Sequence, residues 1–428
     1  MARVRPFAGL RFAAPETDIS AMAAPPYDVI SPEQRAELLS RDPHNIVALE
    51  LPYGPLDPTV ANNRYETGRR TWDSWRADGV LVADAPSVYV LEQTFTLQGQ
   101  PIRRRAFIAA VGLEPFDAGI VLPHERTLPK ALGDRFELIM ATGANFSQVF
   151  GLFDDPACET DALFAEVMAS EPVATATDDD NVKSTLWAST DADVARRLEE
   201  LLAPKQVFIA DGHHRYTTAL AHCELMRERS GGEAADAPAE FVMMALVNMD
   251  DPELRVLPTH RVANAEGTFH PAAFHAALAE HFIVEECATA EGLAALERIT
   301  EPAFLVKTPA DVHPLVVRLK PDTDLRALMP AGRSEAWMNL DVAVLQELVL
   351  DPLLGIHPDR PETLDRLDFV KDADQALRMS AENDAVFVLR ATRLGQLRDV
   401  ALAGETMPQK STYFYPKLLS GLVMRAAR

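Results

Sequence analysis

The sequence predicts an α+β fold, and three observations carry that prediction. Short apolar runs of strand length recur, with Val207–Ala210 and Phe241–Val247 the clearest. They are interspersed with stretches of helical periodicity, such as Tyr216–Arg229 with Ala219, Leu220, Cys223 and Met226 along one side. Two β-rich segments, Ser87–Leu97 and Ile102–Leu113, are joined by Gln98-Gly99-Gln100, the composition of a hairpin turn.

Taken in order, Val4–Phe12 reads as an opening strand. Ala24-Pro25-Pro26-Tyr27-Asp28 is stiff and extended, because each proline fixes its own backbone and restricts the residue before it. Ser31 then caps a helix, with Pro32 at its first position and Gln34 completing a capping box. Asn45–Leu51 is another strand candidate, and Tyr65–Asp78 is a helix closed by Gly79. In the second hairpin arm Arg103, Arg104 and Arg105 are expected on a solvated edge, where charge discourages sheet pairing. Leu122–Lys130 reads as loop, Ala131–Thr142 as helix, Glu171–Asn181 as polar loop and Leu186–Leu202 as a helix leading into the strand at Val207. Leu254–Leu257 is a strand ending at Pro258-Thr259-His260-Arg261. Beyond Phe269 come a helix at Pro271–His281, strands at Phe304–Lys307 and His313–Leu319, a helix near Leu340–Leu350, and strands near Leu367–Val370 and Ala385–Ala391. Pro408–Lys417 closes the series as a strand of alternating aromatic and polar residues.

Composition narrows the function classes. A chain of 428 residues holds two or three domains of ~150 residues each. The division expected is 1–265 and 266–428, the second part returning a strand to the core. A formal net charge of -23 argues against wide contact with nucleic acid. Cys158, Cys223 and Cys287 show no disulfide or zinc spacing, which points to a reduced, cytoplasmic protein. Met1–Arg11 lacks the apolar run of a secretory signal, and Leu340–Ile356 is broken by charges, so no membrane span is expected.

Two clusters carry chemistry. In the first, Asp211-Gly212-His213-His214-Arg215 follows a buried strand and opens a helix. Free backbone N–H groups and the helix dipole there favour an anion, and Arg215 adds a fork that matches phosphate oxygens. The same residues also fit an ordinary turn with a surface ion pair. The second cluster is Pro123-His124-Glu125-Arg126-Thr127-Leu128-Pro129-Lys130 with Asp134-Arg135. Its prolines hold it as loop, Glu125 is placed to act as a general base, and Lys130 and Arg135 to neutralise phosphate charge. A salt-bridged surface loop is the alternative. Lys410, Ser411 and Thr412 form a third candidate phosphate contact, and His260-Arg261 a weaker one.

Ala24-Pro25-Pro26-Tyr27-Asp28-Val29-Ile30, Pro123–Thr127, Asp134-Arg135, Asp211–Tyr216 and Met407–Thr412 together resemble the bacterial family called domain of unknown function 1015, through nearly the whole chain. The Asp211–Arg215 turn is in addition similar to the signature of the ParB/sulfiredoxin superfamily, whose members include free serine kinases. That resemblance implies a mixed-sheet, nucleotide-binding core with further α/β layers, and a phosphotransferase acting on a small hydroxyl compound such as L-serine with ATP or ADP and Mg²⁺. Gly212, His213, His214, Arg215, Lys130, Arg135, Lys410 and Ser411 would hold the nucleotide; Glu125, His124, Asp211, His213 and His214 would serve the chemistry. His213 stands where a sulfiredoxin carries its reactive cysteine, so sulfinic acid reduction is not expected. The alternatives are a phosphatase of a compound such as phosphoserine and a non-catalytic nucleotide sensor. A small-molecule substrate is the expected partner, without nucleic acid or membrane, and a homodimer is allowed.

Overall fold

The computed structural model describes residues 1–14, 17–125, 129–231, 236–358 and 360–428, with backbone only at 129–131 and 361. The chain forms two compact units. The first comprises Met1–Pro123, Thr127–Leu254 and Pro416–Arg428; the second comprises His124–Arg126 and Arg255–Tyr415. The change of unit at Leu254 comes earlier than the division expected at 265/266.

The first unit is built on a nine-stranded mixed sheet, so the α+β class is confirmed. Eight strands run in the order Val121–Leu122, Val207–Asp211, Val149–Phe153, Phe241–Asn248, Gln100–Gly112, Val88–Leu97, Lys183–Ser189 and Ala174–Thr177, and the ninth, Val4–Arg5, pairs off this path with Gln100–Gly112. Val207–Asp211 is parallel to Val121–Leu122 and antiparallel to Val149–Phe153, which is in turn parallel to Phe241–Asn248. The hairpin pairs Leu97 with Gln100, as the turn composition requires. Helices Thr160–Met168, Ala192–Leu202 and His213–Ser230 cover one face through Phe164, Leu198 and Tyr216. The rings of Phe107 and Phe164 stack at 4.2 Å there. A second, antiparallel sheet joins Leu81–Ala83, Gly9–Phe12, Met424–Ala426 and Ala144–Asn145.

The second unit contains an antiparallel six-stranded sheet in the order Phe282–Glu286, Leu315–Leu319, Ala303–Lys307, Ala385–Val388, His260–Ala263, Leu367–Val370. A separate pair joins Arg255–Leu257 to Tyr413–Tyr415. The expected helix at Pro271–His281 forms as read. That near Leu340–Leu350 is helical from Asp341 to Leu345, then widens to a π-turn over Gln346–Leu350. Among the described residues no helix is long and apolar enough to cross a membrane.

Several expectations are corrected. Val4–Phe12 is two strands, Val4–Arg5 and Gly9–Phe12. Asn45–Leu51 is not a strand: the buried Asn45 side chain accepts a hydrogen bond from Val47 N at 3.0 Å and starts a helical turn over Val47–Glu50. Glu171–Asn181 contains the edge strand Ala174–Thr177, and Leu186 lies in the strand Lys183–Ser189, with the helix starting only at Ala192 behind Asp191. The arginine run is not a solvated edge. Strand alternation turns Arg104 opposite to its neighbours and buries it completely. The Ser31 cap forms, its Oγ accepting from Gln34 N at 3.2 Å.

Candidate functional site

The corner at Asp211 is produced by three local features. The strand Val207–Asp211 is apolar and fully buried until its last residue, so it fixes the corner to the sheet. A bulge between Ile209 and Asp211 shifts the register against Val149–Phe153 and re-aims Asp211. Gly212 then adopts φ +89°, the left-handed conformation that glycine takes without strain, and the helix begins at His213, three residues before the expected Tyr216. Among the described residues no side chain caps this helix of 18 residues, and its start carries the positive end of the dipole.

Gly212 also makes room for Arg215. A Cβ at this position would lie 2.9 Å from Arg215 Cζ, Nε and Nη2. Gly212→Ala is therefore expected to cost about 1–2 kcal/mol through the left-handed backbone alone and to displace the guanidinium. Urea unfolding reads the loss, and an unchanged midpoint would contradict this geometry.

Asp211 is the electrostatic centre of the corner. Arg215 Nη2 donates to its Oδ2 at 2.6 Å, and Lys417 Nζ bonds Oδ1. Burial pushes its carboxyl up, but Lys417, Arg215 and His213 more than reverse this and hold it well below the usual carboxylate range. Lys417 is positioned from behind. Arg104 Nη2 donates to Pro416 O at 2.6 Å and also bonds Gln93 Oε1, and Gln93 Nε2 donates to Lys417 O at 3.1 Å. Burial pushes Arg104 down to about 9, with Asp211 opposing. Arg215 Nη1 reaches Gln148 O. His213 is buried and His214 partly exposed.

A cleft with a volume of about 50 Å³ adjoins the corner, lined by Arg215, Arg135, Glu50, Thr218 and Ser147 among others. That volume suits a small anion rather than a whole nucleotide. Arg135 Nη1 donates to Glu50 O at 2.8 Å and lies 3.4 Å from Glu50 Oε2, while Asp134 accepts from its other side. Its Cζ is 4.2 Å from the Tyr27 ring centroid. Burial pushes the Tyr27 hydroxyl up to about 12, against the pull of Arg135 and Arg215. Among the described residues Thr218 Oγ1, on the cleft wall, is buried without a hydrogen-bond partner, the condition expected of a group that a polar ligand satisfies.

Three of the stretches singled out in the sequence, Ala24–Ile30, Asp134-Arg135 and Asp211–Tyr216, thus meet in the first unit. Asp28 itself is exposed. The remaining candidates lie in the second unit. His124 Nε2 is 2.8 Å from Thr412 Oγ1, and Met407 N donates to His124 O at 2.8 Å beside a parallel bridge between Glu125 and Met407. Ser411 Oγ donates to Pro408 O, and Lys410 is exposed, its carbonyl held by the buried Arg261 at 3.2 Å. Arg126–Leu128 and the Lys130 side chain lie outside the described residues.

Glu50 and Lys417 were missed in the sequence reading. Glu50 sits in an apolar stretch that reads as a strand, where its burial is not legible. Lys417 reads in the sequence only as the end of a strand. Among the described residues no group of three or more His, Cys, Asp or Glu side chains could hold a metal. Asp211 is ion-paired with Lys417 and Arg215.

A family model described as "Protein of unknown function (DUF1015)" matches residues 4–343. No curated protein matches the sequence. Among solved structures, a free serine kinase variant in complex with ADP is similar at 12% identity and TM-score 0.35, over 72% of this chain and 87% of that one. A conserved hypothetical protein from Pyrococcus furiosus is similar at 15% identity and TM-score 0.33, over 73% and 92%. SbnI with a C-terminal truncation, from Staphylococcus aureus, is similar at 11% identity and TM-score 0.35, over 73% and 85%.

Proposed function

We propose, for a chain that belongs to the family of proteins of unknown function DUF1015, that it transfers a phosphoryl group from ATP or ADP to the hydroxyl of a small metabolite such as L-serine. The observation that supports this reading is the convergence of Arg135, Arg215 and the helix start behind Gly212 in the first unit. Backbone N–H groups of Gly212–His214 and the Arg215 fork hold the donor's phosphates. Arg135 offsets the charge that develops on the transferred group, and His213 and His214 donate toward it. Mg²⁺ would be held mainly by the donor's own phosphates and would supply charge neutralisation there. The acceptor oxygen forms a bond to phosphorus as the bridging oxygen leaves with the remaining phosphate, and the hydroxyl proton passes to a carboxylate.

Two carboxylates compete for that last role. Glu125 has the loop context that the sequence favours. Glu50 has the geometry, because it lines the cleft with both arginines. Glu50→Gln is expected to keep ADP-induced thermal stabilisation and to lower turnover by about 100-fold or more, within the range of general-base effects. The same assay on Glu125→Gln ranks the two.

The test of the function itself is a thermal-shift panel of ATP, ADP and pyrophosphate with and without Mg²⁺, followed by a search for phosphoserine with L-serine present. Phosphate released from phosphoserine alone would favour hydrolysis. Nucleotide stabilisation without turnover of any hydroxy acid would favour a sensor.

A further inference from the structure

The loop between Glu50 and the helix Arg64–Ala77 is tied to the cleft at both ends. Glu50 lines the cleft, and at the other end Arg64 Nη1 and Tyr65 Oη lie 3.4 and 3.0 Å from Asp134 Oδ1, the neighbour of Arg135. Pro52 packs toward the cleft wall: a Cβ on Gly68 would be 3.0 Å from Pro52 Cγ and 3.2 Å from the cleft residue Leu138. The loop is held internally as well. Arg64 N donates to Pro55 O at 3.0 Å, and Asn63 Nδ2 donates to Pro58 O and Val60 O at 3.0 and 2.9 Å.

Tyr53 stands in this loop, three residues from Glu50, which limits the separation of their Cα atoms to roughly 11 Å. Its side chain is 63% exposed, yet one ring face is covered by Arg35, whose Cζ lies 3.4 Å from the ring centroid. Arg35 is only 9% exposed and cannot swing away, because its Nε donates to Leu51 O at 2.6 Å. Among the described residues its Nη1 is buried with no hydrogen-bond partner, and the Tyr53 ring covers that side of the guanidinium. An aromatic ring backed by a fixed cation, with its remaining surface open to solvent, is preorganised to stack against a second flat ring. The 50 Å³ cleft holds little beyond a phosphate, so the rest of a nucleotide must lie outside it.

We propose that Tyr53, backed by Arg35, is a stacking platform for the heterocyclic base of the nucleotide whose phosphates lie at Arg135 and Arg215. This rests on the phosphate-binding reading above. Calorimetric titration of the full chain with ADP and, separately, with pyrophosphate tests it on wild type, Tyr53→Ala and Tyr53→Trp. Tyr53→Ala is expected to weaken ADP about tenfold and leave pyrophosphate unchanged, as loss of one base stack does. Tyr53→Trp is expected to retain ADP affinity. If wild type and Tyr53→Ala bind ADP alike, the platform is wrong and the phosphate site stands. Equal weakening of ADP and pyrophosphate by Tyr53→Ala, or wild type binding the two equally, also overturns it. Wild type binding neither ligand overturns both readings.

Discussion

Arg215→Ala is expected to abolish nucleotide-induced stabilisation and to weaken ADP and pyrophosphate by about 100-fold or more, the scale of losing a hydrogen-bonded charge from a partly desolvated site. The guanidinium has five donors, and the bonds to Gln148 O and Asp211 engage two of them. The rest can meet phosphate oxygens at the cleft, which Arg215 lines. The fold should survive, because Asp211 keeps Lys417 as its counter-charge. Arg215→Lys should recover only part of the affinity, since an ammonium cannot reproduce the planar fork. An unchanged ADP affinity in Arg215→Ala would remove the site from this corner.

Asp211→Asn should act on stability instead. The carboxylate is 18% exposed and neutralises two cations, Lys417 and Arg215, while Arg104 lies close enough to feel its charge. Removing it leaves cations buried without a counter-charge, at a cost of about 3 kcal/mol or more. The urea midpoint should fall accordingly. The pH dependence follows from the same contacts. A carboxyl held below its ordinary value of 3.8 contributes stability that is complete above that pH and is lost as pH falls toward its folded value. His222, whose burial pushes its ring from 6.5 down to about 4, adds an earlier loss between those two values, because the unfolded chain takes up the proton first. Wild type should therefore weaken in two stages, first below about pH 6.5 and then below about pH 4. Asp211→Asn should show a smaller second stage, because Asp134, Asp155 and Glu240 are also held below their ordinary values and supply the remainder. A variant that keeps the full acid limb would show that Asp211 is not its cause.

The parts of the fold that were legible in the sequence share one property: local pattern and tertiary environment agree. Val207–Ala210 is apolar at every position and becomes a strand buried on both faces. Gln98-Gly99 supplies two residues at positive φ, as a tight hairpin requires. Pro32 opens its helix behind Ser31. Where a side chain decides the local structure by reaching a distant backbone, the pattern misleads. Asn45 donates to Ala21 O and Ala23 O, which turns an apolar, strand-like stretch into a helical turn and carries Glu50 into the cleft. Arg104 needed only its own period of two. It faces Gln93 across the hairpin, and a run of three arginines in a strand must send the middle one to the opposite face. The corner at Asp211–Arg215 was legible because a glycine between a strand and a helix has few other uses. Its support from Lys417 was not, because more than two hundred residues of chain separate the partners.

The return of Pro416–Arg428 has a consequence for how the protein is made. Met424 and Arg425 pair with Leu10 and Gly9, so an early strand waits for the last residues before its sheet can close. Lys417 reaches Asp211 only at that same late moment. Vectorial synthesis on the ribosome cannot finish the first unit as it emerges, and Arg255–Tyr415 is translated in the interval. Pairings this remote in sequence are slow to find, so nascent chains should leave one edge of Gly9–Phe12 open to chaperones until Met424–Ala426 emerges, and a premature stop before Pro416 should yield a protein that is cleared rather than merely inactive.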